Sequence, residues 1–236
     1  MNKSLRNAAS LLACAFALSG ALNIHAAEYA VTIQTSSLAS LEPTNGPFSL
    51  DLFMSYGTGG IGNTATINNF SFGGGSATGA PVASGLATGN LSSAVTLNDS
   101  SASQFNDLNQ TFNPGTAISF DVTLSNNPGG QTPDELAIAI LDNTGGQIVT
   151  TDPNDGLSLA KFEIGSFGQI TTAAYAGIDN TDPANLVDLG DYSGVTTSIT
   201  VAPVPEPSSV TAMAGVFGLG LVAFRQISKR RTTGRA

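Results

Sequence analysis

The chain has 236 residues, a length that suits one domain with flanking processing segments. Seven of its eight basic residues lie within the first six or the last twelve positions, whereas all seventeen acidic residues lie between Glu28 and Glu206. The segment 28–209 therefore holds one lysine and has a formal charge of −16. This charge argues against nucleic-acid binding, because phosphate contacts need a basic surface.

The first 26 residues have the pattern of a secretory signal peptide. Lys3 and Arg6 give a positively charged start, residues 8–22 are predominantly apolar, and Ala26 or Ala27 provides a small residue for cleavage. A helix of that length spans about 22 Å, which is shorter than the hydrocarbon core of about 30 Å. The pattern therefore predicts cleavage rather than anchoring, and export through the Sec machinery.

Residues 27–203 form the predicted exported domain, and their pattern is that of strands. Apolar and polar residues alternate in 48–55 and 118–124, which is typical of strands with one buried face. Clusters of Gly, Asn, Asp and Pro between such segments favour turns. Many short strands with little helix predict an all-β fold, an antiparallel β-sandwich or a jelly roll. The other predicted strands are 29–34, 64–72, 94–97, 136–141, 157–164 and 195–201.

Two segments of this domain have a less regular pattern. The glycine-rich segment 57–90 predicts a long loop or loosely packed surface beyond the strand at 64–72. Lys161, the only basic residue of the domain, lies beside Phe162 in an alternating strand and is expected to be solvated.

The domain lacks the reactive side chains that most enzyme mechanisms need. Cys14 and His25 are the only cysteine and histidine, and both precede the domain. Without them the domain lacks Ser-His-Asp and Cys-His relays and the usual zinc ligands, so we expect no catalytic residues and no enzyme activity. Paired carboxylates for glycoside hydrolysis are the one catalytic arrangement left open.

Calcium is the metal for which the sequence offers ligands. Hard cations prefer carboxylate and carbonyl oxygens on tight loops, and no other cofactor is indicated. The alternative is that these Asp and Asn residues make Asx turns. The candidate ligands are Asp152, Asn154, Asp155, Asp179, Asp182, Asp188 and Asp191.

The last 33 residues, 204–236, combine three features in order. Pro205, Glu206 and Pro207 form an extended peptide, because proline is excluded from helix interiors. An apolar run predicts a transmembrane helix over about 210–227, and a basic cluster follows it. Such a cluster stops transfer and stays cytoplasmic, which places the preceding domain outside. The basic residues are Arg225, Lys229, Arg230, Arg231 and Arg235.

This tail resembles the PEP-CTERM sorting signal of exosortase substrates in Gram-negative bacteria that make exopolysaccharide. The resemblance covers 204–236 and implies that a membrane-embedded cysteine transpeptidase, the exosortase, recognises Pro205, Glu206 and Pro207. It also implies an inner-membrane anchored precursor that is then delivered to the cell surface or biofilm matrix. Exopolysaccharide and other matrix proteins are the partners expected there.

The sequence therefore predicts a non-catalytic surface or matrix protein and leaves two alternatives open. A carbohydrate-binding module would show an aromatic strip on one sheet face. A glycosidase that uses only carboxylates would show two of them converging in a cleft at the required separation. Against the module stands the absence of Trp from the chain.

Overall fold

The computed structural model describes residues 26–58, 62–125, 127, 131–176 and 199–204. These residues form two antiparallel sheets, which pack on a shared core. Sheet 1 has the strand order β13-β1-β9-β3-β7-β6, and sheet 2 has the order β12-β11-β10-β2-β8-β4, with β5 also paired to β8. The prediction of an all-β fold built from antiparallel strands is confirmed.

The strands of sheet 1 are β1 (Ala27–Gln34), β3 (Thr64–Ser71), β6 (Ala87–Gly89), β7 (Ala94–Asn98), β9 (Ala117–Leu124) and β13 (Ile199–Pro203). Those of sheet 2 are β2 (Phe48–Ser55), β4 (Ser76–Ala77), β5 (Val82–Ser84), β8 (Phe105–Asn113), β10 (Asp134–Leu141), β11 (Ala160–Ile164) and β12 (Ile170–Ala174). Two four-residue helices, α1 (Ser36–Ala39) and α2 (Glu42–Asn45), connect β1 to β2.

The core lies between the sheets and follows the period-two pattern of the strands. Side chains of a strand point alternately to the two faces of its sheet, so every second residue of β9 is buried, from Ile118 to Leu124. In sheet 2 the same alternation buries Leu50, Leu52 and Met54 of β2. The residues between them therefore face outward.

The first and last described strands pair with each other. Tyr29 of β1 lies opposite Pro203 of β13, and the Val204 amide donates a hydrogen bond of 2.8 Å to the Glu28 carbonyl. Because the strands are antiparallel, the start of β1 and the end of β13 lie at the same end of sheet 1.

The glycine-rich segment is more ordered than the sequence predicts. Its strand at 64–72 is present as β3, but the residues after it form β4, β5 and β6 instead of a long loop. Gly89 has a φ of +102°, and a Cβ there would come within 2.0 Å of the Ala94 carbonyl oxygen. The glycine therefore permits the close turn between β6 and β7.

Several predictions concern residues outside the described part of the chain. They are the signal peptide before Ala26, the Pro205-Glu206-Pro207 peptide, the membrane helix at about 210–227 and the basic cluster. Within the described ranges, no helix has the length and apolar character needed to cross a bilayer.

Candidate functional site

A groove of about 260 Å³ lies on the outer face of sheet 2. Ala137 and Ala139 of β10 line its floor, and their small side chains leave a trough between larger neighbours. One wall comes from β2, which contributes Asp51 and Phe53. The segment between β10 and β11 forms the other wall. The remaining lining residues are Glu135, Gln147, Asp155, Leu157 and Ser158.

Two phenylalanine rings stand on the β2 side of this groove. Phe53 lines it, and Phe105 of β8 stacks on Phe53 with ring centroids 5.9 Å apart and an interplanar angle of 22°. The register places Phe105 opposite Ser55, so the two rings are diagonal neighbours across the strands. Phe105 is 62% exposed, which leaves an aromatic surface in solvent beside polar side chains.

Next to the rings, Asp51 and Asp107 form a carboxyl pair across β2 and β8. Burial raises the pKa of Asp51, the hydrogen bond and charge of Asp107 raise it too, and a hydrogen bond from Asn109 lowers it, which together place this pKa at about 7. Two carboxylates that share a hydrogen bond cannot both ionise readily.

The opposite wall is held by a buried ion pair rather than by a solvated lysine. The Lys161 ammonium lies 2.7 Å from an Asp152 carboxylate oxygen and 2.8 Å from one of Asp155. Lys161 is only 6% exposed, so the expectation that it is solvated is wrong. The strand register explains this burial. Lys161 lies opposite Ala137, whose small side chain leaves room for the lysine to be covered by the segment 147–158.

The ion pair also sets the protonation of this wall. Burial opposes ionisation of Asp155, but hydrogen bonds from Lys161 and from the Leu157 and Ser158 amides hold its pKa well below the usual range. Burial likewise disfavours the charged lysine, yet its hydrogen bonds to the two aspartates raise the Lys161 pKa above normal. Asp155 and Lys161 therefore keep their charges through the whole physiological pH range.

The proposed calcium ligands are only partly within the described residues. An Asp152 carboxylate oxygen accepts the Asn154 amide at 2.9 Å, and one of Asp155 accepts the Leu157 amide at 2.8 Å, so both make Asx turns. The ammonium of Lys161 lies between the two carboxylates. In the part of the chain that the structure describes, no three His, Cys, Asp or Glu side chains converge to hold a metal ion. Asp179, Asp182, Asp188 and Asp191 lie outside that part.

A second polar cluster is buried where β3, β7 and β10 meet, and sequence reasoning did not identify it. The Asn63 side-chain amide donates to Asp134 at 2.7 Å, while the Asn63 backbone amide donates to Asp99. Burial raises the pKa of Asp99, the Asn63 hydrogen bond lowers it, and the charge and hydrogen bond of Asp134 raise it, which together place this pKa at about 7. Three of the four carboxylate oxygens accept hydrogen bonds from the protein, which leaves only Asp99 Oδ2 without a donor.

Sequence reasoning also missed the outer face of β8, because the segment 105–113 was not predicted as a strand. Phe105 and Asp107 were therefore not connected with Phe53 and Asp51. The signal that could have found them is the alternation of Leu108 and Phe112 with polar residues.

Comparison of the chain with protein-family models, with curated proteins and with solved structures found no match.

Proposed function

We propose that this chain is a non-catalytic exported protein of the cell surface or biofilm matrix, delivered through its C-terminal sorting signal. The proposal depends on the three-part tail and on the leader that precedes Ala27, which agree in placing the domain outside the cytoplasm.

The pairing of β1 with β13 is the structural observation that supports this function best. β1 begins at Ala27, next to the proposed signal cleavage site, and β13 ends at Pro203, two residues before Pro205. Cleavage after Ala26 or Ala27 and beyond Val204 would therefore remove no more than Ala27 from the described strands. The chain enters β1 and leaves β13 at the same end of sheet 1.

The charge of the domain is consistent with the same destination. Its many carboxylates and single lysine keep an exported protein soluble and disfavour anionic partners. The one lysine is used inside the fold, in the ion pair with Asp152 and Asp155.

Processing is tested by following the full chain in its own host by size and by cell fraction. We expect the unmodified protein to be shorter than its precursor and to reach the surface or matrix, with a mature N-terminus at Ala27 or Glu28. Replacing Pro205, Glu206 and Pro207 together by Ala should leave a full-length form in the inner membrane.

A matched control is Pro153→Ala, which changes an exposed loop proline and should be processed normally. An unmodified protein that stays full length in the inner membrane contradicts the proposal. Equal processing of the triple variant also contradicts it, because recognition would then not involve these three residues.

A carbohydrate-binding module is a second candidate function, and the groove of sheet 2 is the observation in its favour. The stacked pair of Phe53 and Phe105 gives the sheet an exposed aromatic surface, which the sequence alone did not predict. Exposed apolar surface rimmed by polar groups is typical of ligand-binding grooves. The glycosidase alternative gains less, since Asp51 and Asp107 are hydrogen-bonded to each other.

A further inference from the structure

We infer that the groove of sheet 2 binds a cationic amino sugar, a glucosamine unit of a polysaccharide, in preference to neutral or acidic sugars. This inference deepens the second candidate function, carbohydrate binding, and does not depend on the route by which the protein is exported.

The groove is bordered by negative charge. Three of its lining residues, Asp51, Glu135 and Asp155, carry carboxyl groups, and the Lys161 ammonium is already shared by Asp152 and Asp155. A uronic acid or a sulfated sugar would meet repulsion here, whereas an ammonium group would be attracted. The charged residues of this face are Asp51, Asp107, Glu135, Asp152, Asp155, Lys161 and Glu163.

Glu135 lines the groove and makes no ion pair within the described part of the chain. Burial raises the pKa of Glu135, although the charge of Lys161 opposes this. Glu135 would gain from a bound ammonium, because an ionised carboxylate is costly to bury unless it is paired. The groove thus has negative charge that the protein leaves uncompensated.

The shape of the groove also suits a sugar ring. Ala137 and Ala139 give it an apolar floor, and the rings of Phe53 and Phe105 stand beside that floor. One face of a pyranose ring carries only C–H groups and can pack on such a surface, while its hydroxyl and amino groups point to the rim. The volume of about 260 Å³ is below the roughly 300–1,000 Å³ of pockets for drug-sized ligands, which suits one unit of a longer chain.

The test measures binding of the full chain, purified in mild detergent, by calorimetry with hexamers of stated charge. Glucosamine hexamer should bind, and raising NaCl should weaken it because the attraction is between charges. Cellohexaose should bind at least tenfold more weakly, and oligogalacturonate should not bind. Oligolysine of equal charge should bind weakly, since it has no pyranose face for the rings.

Two variants connect the binding to this groove. Phe105→Ala removes the exposed ring, and Glu135→Gln removes a carboxylate while keeping its size; each should weaken glucosamine hexamer about tenfold, equivalent to ~1.4 kcal/mol. Phe167→Ala is the matched control for the ring, because Phe167 is 87% exposed in the turn between β11 and β12. Glu28→Gln on sheet 1 is the control for the charge. Both controls should bind like the unmodified protein.

Each contrary outcome has a distinct meaning. Equal or tighter binding of cellohexaose retains carbohydrate binding but overturns the preference for an amino sugar. Tighter binding of oligolysine replaces the sugar with a basic peptide partner. No binding of any hexamer overturns both the inference and the second candidate function, while leaving the sorting proposal untouched. Unchanged affinity in both groove variants, with normal melting curves, overturns the assignment of the site.

Discussion

Replacing Asp99 by Asn should make the domain more stable, and by clearly more at pH 8 than at pH 5. Asp99 is 4% exposed in the polar cluster with Asn63 and Asp134, and its Oδ2 has no donor. An asparagine has nearly the same shape and still accepts the Asn63 amide. It carries no charge, so it avoids the repulsion from Asp134.

The magnitude follows from the pKa of Asp99, which rises from 3.8 to about 7 on folding, first through burial. Because the folded state binds the proton more tightly, the resulting stability is complete below about pH 4 and is lost as the pH rises to about 7. Since each pH unit between these two pKa values is worth ~1.4 kcal/mol, the effect on the free energy of unfolding is at most about 4 kcal/mol. Relaxation and water entry reduce this, so we expect about 2 kcal/mol at pH 8.

The assay is urea unfolding of residues 27–203 at pH 5, 6, 7 and 8, followed by circular dichroism because the chain contains no Trp. The unmodified domain should lose stability from pH 5 to 8, and Asp99→Asn should reduce that slope. Asp121→Asn is the control, since Asp121 lies on the outer face of sheet 1 and pairs with Asn69. If Asp99→Asn destabilises the domain equally at all four pH values, the carboxylate is not held in its protonated form and the reasoning is wrong.

Three further predictions concern the ion pair and the glycines. Lys161→Met should cost about 3–5 kcal/mol in urea unfolding, because Asp152 and Asp155 are left without a cation, and neutralising both aspartates as well should restore part of the loss. If these aspartates bind calcium, the melting midpoint of Lys161→Met should be higher in Ca²⁺ than in chelator. If the midpoint is the same in Ca²⁺ and in chelator, both for this variant and for the unmodified domain, that calcium site is rejected. Gly89→Ala should destabilise more than Gly145→Ala, since both have positive φ but only Gly89 would clash with backbone, and equal losses would contradict this.

The regular part of the fold was predictable because its strands alternate strictly. In β2 and β9 the apolar residues recur every second position, so strand and buried face both follow from the sequence. Each of the eight predicted strands has a counterpart, and seven of them differ by one residue or more at a bound. The predicted segment 157–164 becomes β11, Ala160–Ile164, because Asx turns occupy the preceding residues. The predicted 195–201 corresponds to β13, Ile199–Pro203, and its residues 195–198 lie outside the described part of the chain.

The groove was less predictable, because it depends on which strands are neighbours. Asp51 and Phe53 are outward residues of a predicted strand, but nothing in their own segment indicates that β8 supplies Phe105 and Asp107 beside them. The second wall depends on the buried Lys161, whose alternating neighbours suggested a solvent-facing side chain. Two ion pairs, with Asp152 and Asp155, reverse that expectation.

The polar residues of β8 explain both why this strand was not predicted and how the glycine-rich segment is held in place. Two of its core-facing residues, Asn106 and Gln110, are polar, which weakens the apolar alternation. Their amides bind backbone instead. Asn106 Oδ1 accepts the Leu86 amide at 2.7 Å, and Gln110 Oε1 accepts the Leu91 amide at 2.8 Å. The Gln110 side-chain amide donates to the Gly79 carbonyl at 3.1 Å.

These bonds replace the packing that small side chains cannot provide. The segment that contains β5 and β6 buries few large residues, so hydrogen bonds from β8 fix its backbone at the edge of the sandwich. The same strand therefore has two roles on its two faces: inward amides hold the glycine-rich segment, and outward Phe105 and Asp107 border the groove.

A change at Asn106 or Gln110 should consequently disturb the groove indirectly, through the position of β8. Gln110→Leu should lower the melting midpoint, because it leaves the Leu91 amide buried without an acceptor.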